Sequence, residues 1–239
     1  MKYLVALLLW INIAYAQPIE FVVSASPGGP ADTASRRIAD KIRDSSNIKM
    51  TVVNRSGAAH TIAYNYMASA KTPVMLIATS EINSHDVINY VEDLYTLGHF
   101  DMVLFASSKS SLYNLNDLIN LSKSREINFG APGVKGSFSY AVMDSLCSTQ
   151  LRCLRVPYKS GAEGMLAIMI GDIDVYALPS IGISQFLEND KLRIIHTIKN
   201  KDAWFKIFVK NLSQNDKQTI LKILKDQDIK FYTDLGFQK

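Results

Sequence analysis

The chain has 239 residues and a formal net charge of +4 at pH 7, and it contains no low-complexity tract, repeat or block of like charge. Its length allows one large domain or two small lobes. The charge is far below that of a nucleic-acid-binding surface and gives only a mild bias towards anionic partners, so we expect no nucleic acid among them.

The first 16 residues have the features of a cleavable signal peptide. Lys2 precedes an apolar run at residues 3–10 that is too short to span a bilayer, and Ala14-Tyr15-Ala16 fits an A-x-A cleavage site. We therefore expect cleavage after Ala16 and export of the product. An uncleaved membrane anchor is the alternative.

Residues 19–44 predict a strand, a glycine-rich turn and an amphipathic helix. Gly28 and Gly29, in the turn, would allow a ligand to approach the main chain closely. The N–H groups at the start of the helix would favour an anion there. Two interpretations of these residues stay open: an anion site, and a well-made strand-to-helix turn.

Further along, short apolar strands alternate with helices, which indicates parallel α/β sheets. Strands are predicted at residues 49–54, 74–78, 102–106, 127–131, 154–157, 173–178, 192–196 and 229–232. Helices are predicted at residues 58–70, 85–95, 115–122, 184–188, 203–209 and 213–225. Two further helices are predicted, one that begins at residue 138 and a separate one that ends near residue 170.

A second glycine-rich loop, residues 132–137, leads into the helix that begins near Phe138. Ligands of open α/β sheets bind at the carboxyl ends of the strands. Two such loops that face each other across a cleft would therefore hold one ligand between two lobes. The polar residues 107–111 have the character of a crossing between lobes, and the strand at 192–196 would return the chain to the first lobe.

The only two cysteines, Cys147 and Cys153, are separated by five residues. In an oxidising compartment such a pair favours a local disulfide between the end of a helix and the next strand, with free thiols as the alternative. None of the four histidines lies beside them in the sequence. We therefore expect neither a metal nor a cofactor.

Five segments, in order, resemble those of a known family. They are PIEFVVSASPGGPADTASRRIADKI, VVNRSGAAHTIA, INFGAPGVKGS, RVPYKSGAEGMLAIMIGDIDV and KLRII, and they cover most of residues 18–198. The family that they resemble is the tripartite tricarboxylate transporter receptors, the TctC or Bug family of periplasmic solute-binding proteins. The resemblance implies a type II periplasmic binding fold, in which two α/β lobes close on a small organic carboxylate for a membrane permease.

The resemblance also implies lobe boundaries and a set of ligand-binding residues. Residues 17–106 and 195–239 would form the first lobe, and residues 107–194 the second. By position, the family's carboxylate-holding loops fall on Ser26, Pro27, Gly28, Gly29 and Asp32 in the first lobe, and on Pro132, Gly133, Gly136 and Ser137 in the second. In the family these loops act mainly through backbone N–H groups, hydroxyls and ordered water.

For several of these residues, a purely structural role is the alternative to ligand binding. Because Asp32 would repel a carboxylate, we expect it to bind the loop backbone, ordered water or a ligand donor group, and its favourable place at a helix start is the alternative. Ser137 is expected to contact the ligand, with helix capping as the alternative. Tyr158 is expected to line the cleft, and the role of Lys159 is left open. The remaining candidates, His60, His85, Arg36 and Arg37, are interpreted as ordinary surface or helix residues.

Some features depart from the family pattern. The chain is shorter than is usual in the family. Residues 79–100 and the segment after His196 are both shorter than their counterparts in the family. Leu178 takes the place of a polar or acidic residue, and His60 stands where the family's NRPGAGG-like motif has a glycine. The ligand is therefore left open among di- and tricarboxylates, carboxylate-bearing amino acids and aromatic acids.

The expected function is that of a monomeric, non-enzymatic periplasmic receptor. One alternative is a shortened relative that acts as a carboxylate sensor or interaction module. The other is an exported α/β hydrolase or transferase, but the sequence has no G-x-S-x-G, G-K-[ST] or H-E-x-x-H motif.

Overall fold

The computed structural model describes residues 17–58, 60–80, 82, 86–133, 137–181, 183, 187, 190–199, 202–235 and 237–238. The predicted signal peptide, residues 1–16, lies outside these residues. Within them, no helix is long and apolar enough to cross a membrane.

The described strands and helices alternate along most of the chain. The strands are β1 Ile19–Val23, β2 Met50–Asn54, β3 Val74–Thr79, β4 Glu92–His99, β5 Met102–Ser107, β6 Ile127–Pro132, β7 Cys153–Tyr158, β8 Val175–Pro179, β9 Leu192–Ile198 and β10 Trp204–Lys210. The helices are α1 Pro30–Ser45, α2 Thr61–Ser69, α3 Leu115–Ser124, α4 Phe138–Thr149, α5 Gly161–Ile170, α6 Gln214–Lys225 and α7 Ile229–Asp234, with a 3-10 helix at Asp86–Tyr90.

Two five-stranded sheets share one topology. Their strand orders are β2-β1-β3-β10-β4 and β7-β6-β8-β5-β9. The first three strands of each order pair in parallel, and the fourth, β10 or β5, is antiparallel to both of its neighbours. The two-lobed α/β architecture predicted from the sequence is confirmed, but the sheets are mixed and not purely parallel.

Each sheet is buried on both faces. In β1, Phe21 packs into the cluster on the α1 face and Val22 into the cluster on the α2 face, and neither side chain is exposed. Because successive side chains of a strand point to opposite faces, a strand covered on both sides appears in the sequence as a continuous apolar run. This explains why the parallel strands were recognisable as short apolar segments.

The lobe boundaries differ from the predicted ones, because β5 and β9 both belong to the second sheet. Phe105 of β5 pairs with Ile194 of β9, so the predicted boundaries at 106/107 and 194/195 each fall inside a strand. The chain crosses between the sheets at Phe100 and Asp101, which are 0% and 4% exposed. A buried crossing lacks the polar composition that was used to locate it. Residues 108–111 instead form a turn after β5.

Three predicted elements are wrong. The segment predicted as a helix at 85–95 contains the 3-10 helix and the start of β4, with His85 itself outside the described residues. The helix predicted at 203–209 is β10, a central strand whose short apolar run has no distinguishing period. The strand predicted at 229–232 is α7, which Asp228 caps by accepting the N–H of Phe231 at 2.8 Å. Of the helix predicted at 184–188, only Leu187 is described.

The predicted disulfide is confirmed. Cys147 and Cys153 are bonded, with their Cα atoms 5.5 Å apart. The bond joins the last turns of α4 to the first residue of β7. It therefore fixes α4, whose other end begins at the second glycine-rich loop, against an edge strand of the second sheet.

Candidate functional site

The loops after β1 and β2 lie together at one edge of the first sheet. The two strands are parallel, and Val23 is in register with Asn54 at their carboxyl ends. Beyond the strands, the Asn54 side chain donates to the carbonyl of Ala25 at 2.9 Å, and Ser26 Oγ donates to Ser56 Oγ at 3.2 Å. The two loops are thus joined by side-chain hydrogen bonds into one structural unit.

Asp32 organises this unit from the first turn of α1. Its Oδ2 accepts the N–H of Gly28 and the Nε–H of Arg36, both at 2.9 Å. Its Oδ1 accepts the amide of Asn54 at 2.8 Å. The expected binding of Asp32 to the loop backbone is confirmed by this geometry.

Arg36 is exposed, as expected from the sequence, and its guanidinium also neutralises that carboxylate. Its side chain is 49% exposed, whereas that of Asp32 is 4% exposed. Burial, the largest single effect, raises the pKa of Asp32, but the hydrogen bonds from Arg36, Gly28 and Asn54 and the charge of Arg36 together hold it below its ordinary value. Asp32 is therefore ionised and paired, so it repels an incoming anion less than a lone carboxylate would.

The starts of α1 and α2 differ from those of the other described helices. In the part of the chain that the structure describes, no side chain caps either of them, and their N-cap residues are Gly29 and His60. The starts of the other five helices are capped by Asn114, Ser137, Ser160, Ser213 and Asp228. Uncapped N–H groups at the positive end of a helix provide donors for an anion.

Gly28 has the one backbone conformation in the first loop that favours glycine. Its φ of +77° lies in the left-handed region, and no atom lies within 4 Å of the position that a Cβ would occupy. The space over Gly28 is therefore open, which is what close approach of a ligand to the main chain requires.

Among the described residues of the loop after β2, two other than glycine have a positive φ, Ala58 at +46° and His60 at +72°. This conformation costs such residues roughly 1–2 kcal/mol each. His60 Nδ1 lies 3.2 Å from the carbonyl oxygen of Ser24. The sequence interpretation of His60 as an ordinary residue missed this link to the end of β1; the signal was its place in a glycine position of the family motif.

The second loop is described only in part, because residues 134–136, including Gly136, lie outside the described residues. The N–H of Gly133 donates to the carbonyl of Tyr158 at 2.9 Å. Ser137 Oγ accepts the N–H of Tyr140 at 3.3 Å and donates to the carbonyl of Pro132 at 3.2 Å. Ser137 thus caps α4, and its hydroxyl lies over the end of β6.

The backbone and the ring of Tyr158 contact different parts of the second lobe. It packs edge-to-face against Tyr176, with ring centroids 5.8 Å apart, within the cluster that α5 covers. Burial, with smaller contributions from the charges of Asp172 and Glu163, raises the pKa of the Tyr158 hydroxyl. The structure therefore places the carbonyl of Tyr158 at the described start of the second loop and its ring against Tyr176.

The start of α4 reaches the first lobe. The ring of Phe138 packs edge-to-face on that of Phe100, at a centroid distance of 5.7 Å. Ala25 and Ala31, from the first loop and the start of α1, pack against the same buried cluster as Phe138. The two loops named from the sequence thus both adjoin the core of the first lobe.

A surface cavity of about 530 Å³ lies elsewhere, near Ile19 at the amino end of β1. Lys49 and Asp216 are the charged residues that line it, and the rest of the lining is polar except for Ile19 and Ile48. This cavity lies at the opposite end of β1 from the glycine-rich loop. Among the described residues, no group of three His, Cys, Asp or Glu side chains is placed to hold a metal ion.

Comparison with known sequences gives a family and a curated relative. Residues 34–207 match the family model described as tripartite tricarboxylate transporter family receptor. A UPF0065 protein of Bordetella pertussis is 24% identical over 190 residues, covering 72% of this chain and 58% of that protein. The chain thus spans less than two thirds of the length of the curated relative.

Solved structures share the fold at low sequence identity. The periplasmic binding protein BugD is 18% identical, with a TM-score of 0.76, over 92% of this chain and 86% of that one. An R. palustris protein solved with adipate is 16% identical, with a TM-score of 0.79, over 92% and 87% of the two chains. MatC from Rhodopseudomonas palustris, with bound malate, is 17% identical, with a TM-score of 0.73, over 92% and 88%. The fold is that of two-lobed periplasmic binding proteins.

Proposed function

We propose that this chain, which belongs to the tripartite tricarboxylate transporter receptor family, is a monomeric receptor that captures a small organic carboxylate between its lobes and passes it to a membrane permease. Membership of this family supports a periplasmic solute-binding role and argues against an enzyme. The particular ligand, the handover to a permease and removal of residues 1–16 are parts of the proposal.

The observation that carries the proposal is the uncapped start of α1 behind the Gly28–Gly29 turn. The paired Asp32 holds the N–H of Gly28 inside the loop, so that the loop keeps its shape without a ligand. The N–H groups in the first turn of α1 then offer donors to one carboxylate, which the helix dipole also favours.

The second lobe supplies the opposing half of this site. In the proposal, Pro132, Gly133, Gly136 and Ser137 close over the ligand, and Ser137 offers its hydroxyl. Ser26 contributes a second hydroxyl from the first loop, beside Pro27 and Gly29. Hydrogen bonds to a charged group contribute roughly 1.5–3 kcal/mol each. A few of them hold a carboxylate firmly and still allow its release.

Dicarboxylates are the first ligands to test. Two structures with this fold contain adipate and malate, and both molecules carry a carboxylate at each end. One end would occupy the first loop, and the other would face the second lobe or the loop after β2. Tricarboxylates, carboxylate-bearing amino acids and aromatic acids follow in the proposed order.

The test is a thermal-shift screen of the purified protein from Gln17 onwards, freed of ligand by unfolding and refolding. A ligand at a thousandfold excess over its Kd stabilises the folded state by about 4 kcal/mol. We expect a rise of about 10 °C in the melting temperature with at least one carboxylate. Adipamide, the neutral diamide of adipate, is the matched control and should give none. A flat response across all carboxylates would contradict the proposal.

A carboxylate sensor or interaction module is the second candidate. It stays open because the match to the relative from Bordetella pertussis covers only 58% of that protein. The two candidates differ in transport: a receptor restores uptake of labelled ligand by cells that contain the permease and lack the receptor gene, whereas a sensor binds the ligand without restoring uptake.

A further inference from the structure

His60 occupies an unusual position beside the proposed carboxylate site. It is the N-cap residue of α2, with a φ of +72°. Its ring nitrogen Nδ1 reaches back to the carbonyl of Ser24, the residue that follows β1. The side chain therefore links the loop after β2 to the loop that contains Gly28 and Gly29. A residue kept in a strained conformation at such a junction is a candidate for function.

The contact with Ser24 determines what the other ring nitrogen can do. A carbonyl oxygen accepts hydrogen bonds and cannot donate them, so Nδ1 of His60 carries a proton in this contact. In the neutral ring, Nε2 is then an acceptor. In the protonated ring, Nε2 is a donor with a positive charge, which is the form that binds a carboxylate.

The groups on the surrounding elements decide which form is favoured in the empty protein. From α2, Tyr64 packs against the ring at a centroid distance of 6.0 Å. From α1, Asp32 is paired with Arg36, so its charge is largely compensated. From the end of β2, Arg55 lies over the ring of Tyr66 at 3.5 Å and 4.0 Å from Glu20 Oε2, so its charge is also partly compensated. The positive end of α2 disfavours a cation on the ring.

We propose that His60 is a ligand-contacting residue of the carboxylate site, and that it binds the ligand as an imidazolium, so that binding takes up a proton. This inference rests on the proposed function and adds that the affinity for the ligand depends on pH. A bound carboxylate places a negative charge beside the ring. It therefore raises the pKa of the imidazole, as an opposite charge within a few ångströms does.

The direction of the pH effect follows from this linkage. Affinity is highest below the pKa of His60 in the empty protein, and it falls as the pH rises through the pKa of His60 in the complex. A shift of one pKa unit on binding corresponds to a tenfold change in affinity. We expect the Kd of the wild-type protein to rise about tenfold between pH 6 and pH 8.

The experiment is calorimetric titration with adipate and with malate at pH 6 and pH 8, in two buffers of different ionisation enthalpy. The dependence of the heat on the buffer measures the number of protons taken up. His60→Asn and His60→Gly are the test variants, because both residues tolerate a positive φ and neither side chain titrates. His196→Asn, in β9 of the second sheet, is the matched control.

The inference predicts that the wild-type protein and His196→Asn take up a fraction of a proton and bind about tenfold more weakly at pH 8. Both His60 variants should bind without proton uptake and with the same Kd at the two pH values. Ionisation of the ligand itself is common to all four proteins and cancels in the comparison. Binding by the His60 variants with unchanged proton uptake would overturn this inference alone. Absence of carboxylate binding by the wild-type protein at both pH values would overturn it together with the proposed function.

Discussion

Lys199 Nζ lies 2.7 Å from Asp101 Oδ2, and this ion pair joins the two chain crossings between the sheets. Asp101 lies between β4 and β5, and Lys199 follows β9 on the way to β10. The same oxygen accepts the side-chain amide of Gln238 at 2.6 Å. Three segments that are distant in the sequence therefore meet at one carboxylate where the lobes are connected.

Replacement of Asp101 by alanine should destabilise the protein. The Asp101 side chain is 6% exposed, and its loss removes the acceptor of Lys199 and Gln238. We expect the free energy of unfolding to fall by about 1–3 kcal/mol in urea denaturation. Asp93→Ala is the control, since the Asp93 carboxylate, paired with Lys206, is 44% exposed, and ion pairs of exposed carboxylates contribute about 0–1 kcal/mol. Equal losses in the two variants would contradict this role of Asp101.

Asp32→Asn should lower stability in a pH-dependent manner. The pKa of Asp32 is lowered in the folded protein, so its ionised form stabilises the fold above the pKa of the unfolded chain, about 3.9. This contribution is lost as the pH falls through the lower pKa of the folded state. The difference in unfolding free energy between wild type and variant should therefore be about 1–3 kcal/mol at pH 7 and shrink towards pH 2. A difference that is constant with pH would show that the charge of Asp32 is not responsible.

Gly28→Ala should weaken both stability and ligand binding. Because Gly28 has a φ of +77°, alanine there costs roughly 1–2 kcal/mol, and its methyl group enters the space proposed for the ligand. Gly171→Ala is a close match, with a φ of +87° and the same open surroundings at the end of α5. It should lose similar stability in urea denaturation and keep the wild-type Kd in calorimetric titration. Equal Kd values for both variants would place the ligand away from Gly28.

Ser137→Ala separates capping from ligand contact. Ser137 caps α4 through the N–H of Tyr140 at 3.3 Å, and Ser160 caps α5 through the N–H of Glu163 at 3.2 Å. Each alanine variant should lose about 1 kcal/mol of unfolding free energy. If Ser137 also contacts the ligand, its variant alone should bind carboxylate about tenfold more weakly, because a charge-assisted hydrogen bond is lost. Unchanged affinity in Ser137→Ala would reduce its role to capping.

Most strands of the two sheets were predictable, but β4 and β10, which pair with each other in the first sheet, were not. β1, β3 and β6 are short apolar runs between turn signals, which is typical of strands buried on both faces. β10 is also a short, mainly apolar run, but its residues have no period that separates a strand from a helix, and the sequence predicts a helix there. The crossing at Phe100 and Asp101 left no signal, because its polar residue is satisfied by partners far away in the sequence.

The candidate site was predictable where it depends on local backbone chemistry. The Gly28–Gly29 turn and the structural task of Asp32 follow from residues adjacent in the sequence. The pairing of Asp32 with Asn54 joins the first turn of α1 to the end of β2, and no local pattern reveals it. The same is true of His60, whose contact with Ser24 exists only because β1 and β2 lie side by side.

The insertion of β10 between β3 and β4 has a consequence for the order in which the lobes fold. The strands of the second sheet lie between residues 102 and 198, so that sheet is complete once this part of the chain has been synthesised. The first sheet is incomplete until β10, Trp204–Lys210, has been synthesised, because β10 pairs with β3 on one side and β4 on the other. Until then, the N-terminal lobe has an open strand edge although most of its residues were made first. We therefore expect the nascent chain to fold its middle part before its beginning.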